Sequence, residues 1–157
     1  MKTSLCCDVL SALEGKSLAT AESLTGGGIG AAITGISGAS AVYAGGVISY
    51  TNEVKHRILG VPEEVLQTCG AVSELTARAM AEGVRQLLNA DVAVSVTGLA
   101  GPGGDDFGHP VGTVFIGYAD AETILAEHHV FSGTREEVRE QTIEAALKLI
   151  LKQNKHY

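Results

Sequence analysis

Leu18-Ala19-Thr20-Ala21-Glu22-Ser23-Leu24-Thr25-Gly26-Gly27-Gly28 is the stretch whose reading decides the fold. Its apolar beginning, Leu18 to Ala21, predicts a short strand. After the glycines, Ile29, Ala32, Ile33 and Ile36 recur at helical spacing and predict a helix from Gly27 to Ile36. A strand passed to a helix through a glycine-rich turn is how α/β proteins build the edge that faces a ligand. Ser23 and Thr25 then stand at the mouth of that helix, beside backbone N–H groups that attract negative charge. The same residues have a plainer reading, in which Thr25 caps the helix and the glycines only permit a tight turn.

Working outward, the same alternation repeats. Ser4 to Leu13 reads as an amphipathic helix and Ala44 to Tyr50 as a second strand. Asn52 is placed to cap a short helix to Leu59, Pro62 opens another to Gln67, and Ser73 starts a long one to Leu88 with Ala77, Met80, Ala81 and Val84 on one face. Val92 to Val96 fits a strand buried on both sides. Gly112 to Tyr118 and Glu122 to Phe131 read as a hairpin turning at Asp120-Ala121, and Thr134 begins a last helix ending near Lys152. The expected fold is therefore α/β, a three-layer α/β/α single domain over residues 1–157 with a mixed, largely parallel sheet.

Composition narrows the function. An apolar share of 45% with a mean hydropathy of +0.21 makes disorder a poor description of the chain. No apolar run reaches the roughly 20 residues that span a bilayer, and Asp8 interrupts the N-terminal segment where a signal peptide stays apolar, so a cytoplasmic location without membrane contact is expected. A net charge of −7 and few aromatic residues argue against nucleic acid, which requires a field of cations or stacking platforms. Backbone N–H groups can still hold a single phosphate on an acidic protein. Cys6, Cys7 and Cys69 are odd in number and suit reduced thiols better than a disulfide framework.

Ligands of parallel sheets gather beyond the carboxyl ends of the strands, and three segments meet there: Glu22 to Gly28, Tyr50 to Lys55 and Thr97 to Gly104. The last has four glycines in eight residues and begins where the central strand ends, so it brings bare backbone to a ligand or forms a mobile surface loop. Lys55 lies one turn into a helix, and a lysine pressed into a partly apolar pocket loses proton affinity and serves as a base. Asp105, Asp106 and His109 make a weak oxygen and nitrogen set in a flexible loop, and adjacent His128 and His129 point to opposite sides of a strand. No metal is expected.

Five ordered segments resemble the CinA C-terminal family, which includes nicotinamide mononucleotide deamidases. They are Ala19 to Gly27, Ser49 to Lys55, Gly70 to Glu74, Thr97 to Gly104 and Pro110 to Val114. The chain looks like the stand-alone form of that family, and His109 departs from the lysine more usual before Pro110. The resemblance implies hydrolysis of the carboxamide of nicotinamide mononucleotide to nicotinic acid mononucleotide and ammonia. It makes Ser23 the nucleophile and Lys55 and Tyr50 the groups that carry its proton. The substrate-binding set expected with it is Glu22, Thr25, Gly26, Gly27, Asn52, Thr97, Gly98, Ala100, Gly101 and Gly104. Backbone N–H groups from Thr25 to Gly27 are the candidates to hold the oxyanion, and the Gly98–Gly104 loop or the N-terminus of the Gly27 helix is the candidate to hold the phosphate. No cofactor is expected.

Two other readings compete. Gly26 to Ala31 satisfies the loose G-x-G-x-x-G/A pattern of dinucleotide-binding proteins, but four residues separate it from the apolar run and no acid ends the second strand. A noncatalytic module that binds the mononucleotide without turning it over is the other alternative. The alanine-rich helices 73–88 and 134–150 offer a face for self-association into a homo-oligomer.

Overall fold

The computed structural model describes residues 2–155. Helix α1 (Lys2–Ala12) leads into strand β1 (Leu18–Glu22), then helix α2 (Gly28–Thr34), a short 3-10 turn (Ala39–Ala41) and strand β2 (Tyr43–Ile48). Helices α3 (Asn52–Arg57), α4 (Glu63–Thr68) and α5 (Glu74–Leu87) follow, then β3 (Val92–Gly98), the hairpin β4 (Thr113–Ala119) and β5 (Ile124–Val130), and α6 (Arg135–Gln153). The five strands form one sheet in the order β2-β1-β3-β4-β5. β1 pairs parallel with both β2 and β3, and β4 pairs antiparallel with β3 and β5, so only β4 runs against the others. Helices α1, α2 and α6 cover one side and α5 the other, with α4 packed against α5. This is the expected α/β arrangement of three layers.

Period-two alternation assigns each strand residue to a layer. Leu18, Val92, Val94 and Val96 join Leu5, Val9, Ile29, Ile33, Leu147 and Ile150 in the larger core. Ala19, Ala21 and Ala93 face the other way, against Met80, Val84, Leu59 and Val61. Small residues on that side let α5 lie close, and the Ser95 hydroxyl donates to the Ala77 carbonyl at 2.6 Å. Each large aliphatic residue buried in these cores is worth roughly 1.5–3 kcal/mol.

Local chemistry sets the boundaries. Ser73 and Thr134 cap α5 and α6 through their hydroxyls, the latter in a full capping box with Glu137. The cap of α3 is Thr51, whose hydroxyl accepts from the Val54 N–H; Asn52, expected there, is the first helical residue. β3 runs two residues past the expected end because Thr97 and Gly98 pair with Phe115 and Val114. The hairpin turns where expected, with Asp120 Oδ1 accepting from the N–H groups of Glu122 and Thr123. Among the described residues no helix is long and apolar enough to cross a membrane.

Candidate active site

The parallel core of the sheet brings the ends of β1 and β3 side by side, and the backbone there continues the sheet. Ser23 N–H donates to Val96 O at 3.1 Å, and Ser49 N–H donates to Glu22 O at 2.7 Å. Ser23 is thereby clamped one residue beyond β1. A cavity of about 590 Å³ opens over it, within the size range of small-molecule sites. Nine expected site residues line it: Ser23, Tyr50, Asn52, Lys55, Thr97, Gly98, Ala100, Gly101 and Gly104.

Lys55 is 1% exposed although it carries an ammonium group. Its Nζ lies 3.1 Å from Ser23 Oγ, donates to Ser49 O at 2.7 Å, and stands 3.4 Å from Tyr50 O. None of these three partners is an anion, so burial dominates and pulls the Lys55 pKa from 10.5 down to about 8. A hydroxyl within hydrogen-bond reach of a lysine that gives up its proton near neutrality is the arrangement of an activated serine nucleophile. The Tyr50 phenol is not part of it. Tyr50 is 61% exposed, and its phenol oxygen accepts from Arg135 Nη2 at 3.3 Å at the cavity rim.

Four expected substrate-binding residues lie outside the cavity lining: Glu22, Thr25, Gly26 and Gly27. Glu22 is buried and points under the turn, where Oε1 accepts from Thr25 Oγ1 at 2.5 Å and from Ile29 N–H at 2.9 Å, and Oε2 accepts from Gly30 N–H at 3.0 Å. The helix cap is Gly27, in the left-handed conformation, and Thr25 serves Glu22 instead of the helix. Gly28 N–H donates to Thr25 O at 3.0 Å, so the first three N–H groups of α2 are all taken internally and none is left for a phosphate or a dinucleotide. The N–H of Gly26 is likewise committed, to Ser23 O at 3.1 Å.

Sequence reasoning missed Arg135, which lines the cavity and donates through Nη1 to Gly101 O at 2.7 Å. A cation in the first turn of a helix opposes the macrodipole, and that misfit was the available signal. It also missed Phe107, which lines the cavity beside Asp105 and Asp106. Asp105 is engaged by its own loop, since Oδ1 accepts from the N–H groups of Phe107 and His109 and Oδ2 lies 2.6 Å from His109 Nδ1. Thr97, expected to offer its hydroxyl to a ligand, donates it to Ala71 O at 2.7 Å.

A family model described as the CinA C-terminal domain matches residues 3–154. The CinA-like protein of Endomicrobium trichonymphae is 48% identical over 135 residues, covering 86% of this chain and 32% of that protein. The CinA-like protein of Salinibacter ruber is 49% identical over 131 residues, covering 83% of this chain and 32% of the other. The chain thus spans about a third of the length of these curated relatives. Among solved structures, a competence-damaged protein (CinA) superfamily protein from Klebsiella pneumoniae superposes with a TM-score of 0.96 at 33% identity, covering 100% of this chain and 99% of that one. A competence/damage inducible protein from Agrobacterium tumefaciens gives 0.94 at 38% identity, covering 98% and 96%.

Proposed function

Because this chain belongs to the CinA C-terminal domain family, we propose that its cavity hydrolyses the carboxamide of nicotinamide mononucleotide, releasing ammonia and nicotinic acid mononucleotide through an acyl-serine intermediate. The observation that carries this reading is the 3.1 Å contact between Lys55 Nζ and Ser23 Oγ in a buried setting. Neutral Lys55 takes the hydroxyl proton as Ser23 Oγ attacks the amide carbon. The C–N bond then breaks as Lys55 returns that proton to the leaving nitrogen, and ammonia departs. A water, deprotonated by Lys55, cleaves the ester and restores Ser23. Tyr50 and Arg135 shape the rim and stand outside the proton path.

With the α2 N-terminus closed by Glu22, the Gly98–Gly104 loop and Arg135 are left to receive the 5′-phosphate. Nicotinamide riboside, which lacks it, is therefore a much poorer substrate; equal rates for the two would remove the phosphate from the scheme. The cysteines are free thiols, in keeping with a cytoplasmic setting.

The decisive experiment is ammonia release from nicotinamide mononucleotide by chelator-treated protein, beside Ser23→Ala and Lys55→Ala. Release that disappears in both variants is the expected result. A folded parent that binds the mononucleotide and releases nothing is a binding module, and the amidohydrolase reading fails.

A further inference from the structure

The cavity has two unlike walls, supplied from opposite sides of the sheet. Arg135 enters from α6, fixed by its bonds to Gly101 O and Tyr50 Oη. Phe107 lies on the side of the α4–α5 connection, over Gly70. A Cβ on Gly70 would stand 2.7 Å from the phenyl ring, so the absence of a side chain there, at a φ of +85°, admits the ring. The Phe107 N–H is held by Asp105 Oδ1 at 3.2 Å, which fixes its backbone. Phe107 is nevertheless 47% exposed, and with Asp106 it lines the cavity. One wall thus presents an aromatic ring and a carboxylate, the other a guanidinium, with Ser23 and Lys55 at the base.

An aromatic ring attracts a cation over its face, and a neighbouring carboxylate adds to the attraction. We propose that Phe107, assisted by Asp106, is the specificity determinant for the cationic pyridinium ring of the substrate, with Arg135 receiving the anionic end. The inference rests on the mononucleotide reading above. It makes the cavity selective for a zwitterionic nucleotide over a neutral carboxamide of the same shape, and it assigns Phe107 a role in binding, with none in the chemical step.

Oxidised and reduced nicotinamide mononucleotide share the ribose, phosphate and carboxamide, but only the oxidised form carries the aromatic cation. Calorimetric titration of the Ser23→Ala chain with each therefore reads the ring subsite without turnover. The expected result is tighter binding of the oxidised form. That preference falls about fivefold with Phe107→Leu, about twofold with Asp106→Asn, and is kept by Phe107→Tyr. A preference unchanged by Phe107→Leu, an equal loss for both forms, or no binding of either form overturns the proposal. Ammonia release by the parent is scored separately, so an inactive chain that still discriminates in this way refutes the amidohydrolase and retains the subsite.

Discussion

Two glycine-rich segments follow two neighbouring parallel strands, and they end in opposite states. The turn after β1, Ser23 to Gly27, is largely engaged internally and by the elements packed on it. Glu22 occupies the N–H groups of Ile29 and Gly30, Gly26 N–H bonds Ser23 O, and Arg139 takes the carbonyls of Leu24 and Thr25. Only Ser23 and Leu24 of this turn reach the cavity. The loop after β3 stays open, and Gly98 through Phe107 line the cavity without interruption. Glycine after a strand therefore does not identify a ligand cradle. What decides is whether the polar groups of the segment already have partners, and here the Glu22 carboxylate at the end of β1 takes the Thr25 hydroxyl and two N–H groups of α2 that a ligand would otherwise meet.

The largest expected effect tests the single working residue of the closed turn. Ser23→Ala lowers ammonia release at least about 10³-fold and leaves the unfolding transition in place, because the hydroxyl faces a cavity. A matching loss of stability would mean that Ser23 belongs to the internal bonding of the turn.

Lys55, which faces that serine, is next. Below pH 8 both folded and unfolded chains hold the proton. Between about 8 and 10.5 the folded chain gives it up while the unfolded chain keeps it, so stability rises with pH across that window. The rise is about 3 kcal/mol, read as the difference in urea unfolding between the parent and Lys55→Met, whose own stability lacks this rise. The rate follows the same group, increasing toward a plateau above pH 8. A rate that falls over this range would remove Lys55 as the base.

Glu22→Ala gives the complementary phenotype. It orphans two helix N–H groups and the Thr25 hydroxyl and costs about 2 kcal/mol, measured by urea unfolding. Mononucleotide affinity changes little in the fraction that stays folded. A selective loss of affinity with unchanged stability would return Glu22 to the substrate-binding set.

Much of this is legible in the order of residues alone. Hydrophobic periodicity, with the cap and proline signals at Asn52, Pro62, Ser73 and Thr134, locates every strand and α-helix, because each element buries one or two faces and its ends need partners for their free N–H groups. It also brings Ser23, Lys55 and the Gly98–Gly104 loop to one edge. What periodicity does not encode is the direction of a side chain beyond the end of its element. Glu22 reads as a ligand contact next to Ser23, yet it is the last residue of β1, and the alternation that turns Ser23 toward the cavity turns Glu22 beneath it. Tyr50 follows β2 with nothing local to orient its phenol. Its partner Arg135 is 85 residues away, and only packing of α6 on the sheet brings the two together. Thr97 does stand at the cavity, as its position at the end of the central strand predicts, but its hydroxyl is taken by Ala71, a partner in another connection.

The smallest effects separate the two glycine segments most cleanly. Gly26 has a φ of +60°, whereas Gly103 lies outside the positive-φ region, and a Cβ added to it would have no protein atom within 4 Å. Gly26→Ala forces a left-handed alanine and costs about 1 kcal/mol of stability, while the Kd for the mononucleotide holds, since Gly26 does not line the cavity. Gly103→Ala shifts stability by less than about 0.5 kcal/mol, because its methyl meets no protein atom. Gly103 lines the cavity, however, so if the loop cradles the nucleotide the added methyl raises KM about threefold. The closed turn thus responds in folding and the open loop in binding. Were Gly103→Ala silent in KM and Gly26→Ala costly in it, the nucleotide would sit against the turn after β1, and the assignment of the open loop as its cradle would be reversed.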